Sequence, residues 1–114
     1  MLKARQSRDF HWTNHAQNKM RFYRLSEQRV RRVLNLPKRI EEGIAPGTIA
    51  MMQRAGSVKH PYEIWVMVQK AKRKSQRANS ITKVISAWKY PGITKAGEPL
   101  PEEVIRELKE VVLD

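Results

Sequence analysis

The chain has 114 residues, 40% of them hydrophobic, and it contains no cysteine. This size and composition predict one folded domain with a modest core, and they exclude both a disulfide framework and a thiolate zinc site. The formal net charge is +12, with 21 basic and 5 acidic side chains in residues 1–95 against 2 and 6 in residues 96–114. Because a strongly basic body attracts polyanions, we expect a nucleic acid or nucleoprotein partner, with an acidic protein or a membrane surface as the alternatives.

The sequence also predicts a location. No apolar run approaches the roughly 18 residues that a membrane-spanning helix needs. The N-terminal stretch "MLKARQSRDF" is basic and lacks the apolar segment of a secretory signal. We therefore expect a cytoplasmic protein that does not enter a membrane.

The N-terminal stretch predicts a basic arm, a short strand and a first helix. Residues 1–9 form the arm, and "FHW" at 10–12 favours a strand. Thr13 or Asn14 can cap the helix that follows, because short polar side chains accept hydrogen bonds from the free amides of a first turn. This helix is expected to run to about residue 23.

A second helix is predicted by the stretch "SEQRVRRVLN". Ser26 is a good N-cap, Glu27 favours the positive end of the helix dipole, and Leu25 can pack on Val30 across the cap. Pro37 ends the helix because proline removes a backbone donor and clashes with the preceding turn. The apolar face of this helix is formed by Val30, Val33 and Leu34.

From residue 39 the apolar period changes to two, which predicts strands. The segments are "RIEEGI", "TIAMMQRAG", "YEIWVMVQK" and "SITKVISAWKY", and the third is expected to be central because it is apolar on most of both faces. Residues 93–100 predict a linker, and residues 101–114 an acidic amphipathic helix. The predicted fold is α+β: in residues 10–92 two N-terminal helices pack on a four-stranded, mainly antiparallel sheet, and the C-terminal helix follows.

The motif "HAQNKM" places a histidine and a cation on one helical face. His15 and Lys19 are four residues apart, and Arg21 and Arg24 lie within reach on neighbouring turns. A neutral imidazole can transfer a proton while cations hold a phosphate, which is the chemistry of phosphodiester cleavage. The alternative is a partly buried His15 that only donates or accepts a hydrogen bond near the helix N-terminus, with Met20 in the core.

Several stretches resemble a known family. "HAQNKM", "LSEQRVRRVLNLPKRIEEG", "YEIWVMVQ" and "ITKVISAWKYPG" are similar to a small bacterial family catalogued as a domain of unknown function (number 4258). The family's HA-x-x-(R/K)-M motif falls on His15, Ala16, Lys19 and Met20, whereas Arg24 stands where the family tends to have glycine. The family resembles the barnase–EndoU–colicin–RelE-like nuclease fold, so the resemblance implies a RelE-like, toxin-like bacterial protein.

The resemblance also implies a reaction, metal-independent endoribonuclease cleavage. In the ribonuclease hypothesis His15 transfers protons, Lys19, Arg21 and Arg39 stabilise the phosphate, and Lys89 or Tyr90 assists. The last two are candidates because RelE-like ribonucleases often use basic and tyrosine side chains near the last strand. No cofactor is expected, since the sequence has neither an HExxH motif nor a Gly-rich phosphate loop.

Further basic side chains are candidate nucleic-acid contacts. The loop "KAKRKSQR" carries five cations and no acid, so its long side chains can follow phosphates without reading sequence, unless it is only a solvated tip. The candidate set is Arg24, Arg29, Arg32, Lys70, Lys72, Arg73, Lys74 and Arg77.

Residues of the long strands have alternative interpretations. Glu63 is the only carboxylate in those strands, and it fits either an exposed cross-strand partner of a lysine or a general base beside His15. Trp88 shares a strand face with Tyr90 and fits equally well in a core under the helices. Trp65 is expected in the core.

The sequence therefore predicts RNA binding, with RelE-like endoribonuclease activity as its more specific form. The alternatives are a non-catalytic module of the same fold that binds nucleic acid or the ribosome, and a protein-interaction subunit that uses its C-terminal helix. RNA or the ribosome is the expected partner, and an acidic protein such as an antitoxin is a further candidate. The enzyme hypothesis requires His15, Lys19 and Lys89 or Tyr90 to face one concave surface.

Overall fold

Seven secondary-structure elements make up the part of the chain that the structure describes. The computed structural model describes residues 9–42, 47–69, 81–95 and 106. In chain order the elements are β1 (Asp9–Trp12), α1 (Asn14–Tyr23), α2 (Glu27–Asn35), β2 (Arg39–Glu42), β3 (Thr48–Gly56), β4 (Pro61–Gln69) and β5 (Ile81–Pro91).

The two helices begin as the capping pattern predicts. At α1 the Thr13 hydroxyl accepts a hydrogen bond from the Ala16 amide at 3.0 Å, and at α2 the Ser26 hydroxyl accepts one from the Arg29 amide, also at 3.0 Å. Leu25 and Val30 are both buried in one cluster, as the predicted contact across the second cap requires. The two predicted N-terminal helices are therefore confirmed.

One sheet holds all five strands, in the order β1-β5-β4-β3-β2. Strands β2 to β5 pair antiparallel in sequence order, and β4 is central, as its apolar pattern predicts. The tight turn between β3 and β4 requires Gly56, which has φ +84 and whose position would place a Cβ atom 2.3 Å from the His60 carbonyl oxygen.

The predicted four-stranded sheet is wrong, because β1 adds a fifth strand and makes the sheet mixed. β1 pairs with β5 in parallel, from Asp9 opposite Ile81 to Trp12 opposite Val84. The hairpin pattern of the sequence predicts only pairs of consecutive strands, whereas β1 joins the strand farthest from it along the chain. The predicted C-terminal helix at 101–114 lies outside the described residues, except for Arg106, which is helical and exposed.

Each face of the sheet carries its own cluster of buried side chains. On the helix-side face, α1 and α2 pack on the sheet, and the cluster comprises Ala16, Met20, Leu25, Val30, Val33, Leu34, Ile64, Val66, Val68, Val84 and Ala87. On the opposite face the buried cluster comprises Ala50, Met52, Trp65, Met67, Ile85 and Trp88. The two clusters alternate along β4, so this strand is buried on both faces. Trp65 is in the core, as predicted.

Neither described helix is both long enough and apolar enough to cross a membrane.

Candidate nucleic-acid interface

The residues proposed for catalysis on α1 lie on two flanks of the helix. His15 and Lys19 are half-buried on one flank, about 40° apart, and each makes an interaction. Arg21 lies about 120° around the helix from His15, where its Nη2 donates to Asn18 Oδ1 at 2.8 Å. The structure therefore keeps His15 and Lys19 together and directs Arg21 elsewhere.

The candidates on β5 are separated by the alternation of the strand. Lys89 pairs with Ile64 and points to the helix-side face, where its Nζ lies 5.2 Å from the centre of the Tyr62 ring. Tyr90 pairs with Glu63 and belongs to the opposite face. The two side chains cannot serve one site together, because successive side chains of a strand point to opposite faces.

Arg39 belongs to a buried polar cluster on the opposite face of the sheet. Its side chain is 9% exposed; Nε donates to Glu41 at 2.8 Å, and Nη1 donates to the carbonyl oxygen of Thr94 at 3.0 Å and to its hydroxyl at 2.6 Å. The guanidinium also lies 5.3 Å from the centre of the Trp65 ring. Arg39 therefore holds residues 93–95 against the sheet, and its geometry does not offer it to a phosphate at the surface.

Glu63 occupies the centre of the same cluster. It is fully buried, and its carboxylate accepts hydrogen bonds from Trp65 Nε1 at 2.9 Å, from the Thr94 amide at 2.9 Å and from the Thr94 hydroxyl at 2.8 Å. The interpretation of Glu63 as an exposed partner of a lysine is therefore wrong. Its three donors are structural, and its place on the face away from the helices separates it from His15 at the start of α1.

Trp88 is buried in the opposite-face cluster, where it stacks on Trp65 with ring centres 6.2 Å apart. The expectation that it packs under the helices is wrong for that reason. Tyr23, at the end of α1, packs against both clusters.

A group of aromatic and charged side chains at β1 and α2 was not predicted. The Arg31 guanidinium lies 5.0 Å from the centre of the Phe10 ring and 5.5 Å from that of Trp12, and the two rings meet edge to face. Arg31 also donates two hydrogen bonds to Glu27 Oε2, at 2.9 and 3.2 Å. The signal in the sequence was the i,i+2 spacing of Phe10 and Trp12, which places both rings on one face of a strand.

A cleft lies beside this group, between β1, α1 and α2. It has a volume of about 290 Å³ and is lined by Trp12, Gln17, Met20, Arg21, Leu25 and Glu27. The cleft therefore combines one aromatic and two aliphatic side chains with a cation, an anion and an amide.

The rest of the helix-side surface near α2 is basic. Arg29 is half-buried and donates to Gln53 Oε1 at 2.7 Å, while Gln53 Nε2 donates to the carbonyl oxygens of Arg32 and Leu36. Burial of Arg29 and the neighbouring charge of Arg32 lower the pKa of Arg29 below its usual value, against a smaller raising effect of Tyr62. A bound anion would relieve this repulsion.

The other predicted contacts divide between this surface and undescribed residues. Arg24 and Arg32 are exposed beside the helices. The five loop cations at 70–77 lie outside the described residues. Within the ranges that the structure does describe, no group of three or more His, Asp and Glu side chains is placed to hold a metal ion.

Comparisons with known proteins add no assignment: no family model matches the chain, and neither a curated protein nor a solved structure matches it. The resemblance described above remains a prediction.

Proposed function

We propose that this protein binds single-stranded RNA in the cytoplasm through the surface formed by β1, α1 and α2. The observation that carries the proposal is the Arg31 group, in which a guanidinium lies against Phe10 and Trp12 beside an open cleft. Proteins bind single strands by combining aromatic side chains, on which bases stack, with cations that follow the backbone.

The charge of the molecule supports a polyanionic ligand. The net charge of +12 includes Arg29 and Arg32 on α2 and Arg24 just before it. On α2 itself, Glu27 is the one acidic residue and it is engaged by Arg31. Phosphates bound to the remaining arginines would release counterions, so the affinity should depend strongly on salt.

Binding without cleavage is the form that the geometry favours. The six residues proposed for catalysis do not all share one face of the sheet, since Arg39 and Tyr90 belong to the opposite face while Lys89 belongs to the helix-side face. An RNA contact needs no such convergence, because phosphate contacts act independently along a surface. Free RNA and ribosomal RNA offer the same chemistry to this surface.

The salt dependence of binding tests the proposal. We expect the Arg24→Gln/Arg32→Gln double variant to lower the slope of log affinity against log salt by about 1.4, at roughly 0.7 for each phosphate that is no longer neutralised on a single strand. Fluorescence anisotropy with a labelled 12-nucleotide RNA would measure it.

The matched control removes two charges from elsewhere. Lys83 and Lys95 are exposed; Lys83 pairs with His11 of β1, and strand alternation places it on the face of the sheet opposite to Phe10 and Trp12. The Lys83→Gln/Lys95→Gln variant should keep the slope of the unaltered protein. Equal reductions of the slope in both double variants would indicate attraction by net charge alone and would overturn the proposed surface.

The same incubation tests cleavage. We expect the RNA to remain intact in EDTA. Cleavage that persists in EDTA, and that His15→Ala abolishes without loss of fold, would replace simple binding by the ribonuclease hypothesis.

A further inference from the structure

We propose that the cleft between β1, α1 and α2 binds one unstacked guanine base. This inference rests on the proposed RNA binding and adds a base preference to it. It depends on three properties of the cleft: its size, the position of a carboxylate and the position of a guanidinium.

The size of the cleft fits a single base. Its volume of about 290 Å³ lies just below the roughly 300–1,000 Å³ typical of small-ligand sites, as a single base requires. Trp12, Met20 and Leu25 provide apolar walls against which a base can pack, and the Arg31 guanidinium lies over the Trp12 ring. A planar heterocycle is therefore the natural occupant.

Arg31 holds the carboxylate of Glu27 through only one of its two oxygens, Oε2. Both hydrogen bonds from Arg31 end on Oε2, and Arg31 is itself fixed against Phe10 and Trp12. The two bonds from Arg31 therefore leave Oε1 outside this ion pair. This oxygen and the outer lone pair of Oε2 can accept hydrogen bonds from a ligand in the cleft.

Across the cleft, α1 supplies donors and a further acceptor. Arg21 uses Nη2 to reach Asn18, which leaves the rest of its guanidinium for a ligand. Gln17 donates through Nε2 to the Trp12 carbonyl oxygen at 2.9 Å, and this fixes its amide with Oε1 as an acceptor.

Guanine matches this arrangement better than the other bases do. It presents two adjacent donors, N1–H and the N2 amino group, to a carboxylate, and two adjacent acceptors, O6 and N7, to an arginine. Adenine and cytosine place a ring acceptor beside their single amino group, which a carboxylate repels. Uracil offers one donor between two carbonyl oxygens, so it satisfies at most one carboxylate oxygen.

The expected preference is modest because the site is open. The side chain of Glu27 is 55% exposed and that of Arg31 is 35% exposed, so water competes for both. A bidentate base contact discriminates between bases by about 5- to 150-fold, and exposure places this one near the lower end, about 5- to 10-fold.

The experiment compares two 9-nucleotide RNAs that differ at one position. Each is a uridine tract with either guanine or adenine at the centre. We expect the guanine oligonucleotide to bind about 5- to 10-fold more tightly. Glu27→Gln should bring the affinities for the two oligonucleotides together, because an amide presents one donor where the carboxylate presented an acceptor. Glu42→Gln is the matched control: it removes the same charge from an exposed site on β2, the far edge strand, and should keep the preference.

Fluorescence gives a second measurement at the same site. A base in the cleft should quench Trp12, which lines it, whereas Trp65 and Trp88 are buried on the opposite face. We expect guanosine monophosphate to quench the emission, and Trp12→Phe to remove the quenching.

The possible failures are distinguishable. RNA binding that is equal for the two oligonucleotides would overturn the guanine site and leave the proposed function standing. A preference for guanine that survives Glu27→Gln would overturn the assignment of this cleft. The absence of binding to any RNA would overturn the proposed function and this inference together.

Discussion

The two faces of the sheet are buried by different kinds of contact. On the helix-side face the strands meet α1 and α2 through aliphatic side chains. On the opposite face a layer of Met and Trp side chains adjoins the polar cluster of Glu63, Thr94 and Arg39. Both depend on β4, which gives Ile64 to the first face and Glu63 to the second.

The two kinds of contact should respond differently to substitution. Aliphatic contacts are numerous and individually weak, so removing one group costs a limited amount. A buried carboxylate with three donors behaves otherwise, because each donor left without an acceptor keeps its full desolvation penalty. Conservative substitutions at neighbouring positions of β4 should therefore have unequal effects.

The largest effect is expected for Glu63→Gln, which keeps the shape of the side chain. Trp65 Nε1 and the Thr94 hydroxyl donate to one carboxylate oxygen, and the Thr94 amide donates to the other. In one orientation the NH₂ group of a glutamine would face Trp65 Nε1–H, and in the other it would face the Thr94 amide N–H, so one donor loses its acceptor in either case. We expect the free energy of unfolding to fall by about 2–4 kcal/mol, as measured by urea denaturation.

A double-mutant cycle with Thr94→Val gives the control for this prediction. The second substitution removes the hydroxyl donor, so the two changes together should cost less than the sum of the single changes. A decrease below about 1 kcal/mol for Glu63→Gln alone would contradict a fully engaged carboxylate.

The helix-side face could be predicted from the sequence to a large extent. The cap residues Thr13 and Ser26, the apolar periodicity of α2 and the stop at Pro37 are local signals, and each is read from a few neighbouring residues. The central place of β4 followed from its apolar pattern on both faces. Local signals of this kind can be interpreted without knowing which distant residues pack against the helix or strand.

The second prediction concerns Ile64→Val, at the position next to Glu63 and on the other face. Ile64 is 1% exposed and packs in the helix-side cluster, so the change removes one buried methylene. We expect the free energy of unfolding to fall by about 0.5–1.5 kcal/mol. The same urea experiment measures it, and a decrease larger than that of Glu63→Gln would reverse the comparison of the faces.

The opposite face and the candidate site could not be predicted in the same way. Burial of Glu63 depends on Thr94, which lies 31 positions further along the chain. The cleft exists because β1 docks beside β5, where the Thr13 hydroxyl donates to the Val84 carbonyl oxygen 71 positions away. A residue's neighbours in the sequence do not identify such distant partners. The spacing of Phe10 and Trp12 therefore predicts that their rings share one face of a strand, but it does not predict that Arg31 packs against them.

The smallest effect is expected at Arg24, the residue that joins the two helices. Arg24 has φ 59 and ψ 48, a left-handed conformation, and the bonds from Arg24 N to Arg21 O and from Leu25 N to Met20 O close the end of α1. The chain therefore adopts the turn that a glycine would favour although the residue carries a Cβ atom, which costs roughly 1–2 kcal/mol.

Replacing Arg24 by glycine should remove that cost, while the greater freedom of glycine in the unfolded chain offsets part of the gain. We expect Arg24→Gly to raise the free energy of unfolding by about 0.5–1 kcal/mol. Arg24→Ala is the matched control, because it removes the same charge and keeps the Cβ atom in the left-handed region. Both variants should weaken RNA binding equally at low salt, whereas only the glycine variant should be more stable to urea. Equal stability of the two variants would contradict the prediction, because it would show that the strain of the left-handed conformation at Arg24 is no larger than the entropy that glycine adds to the unfolded chain.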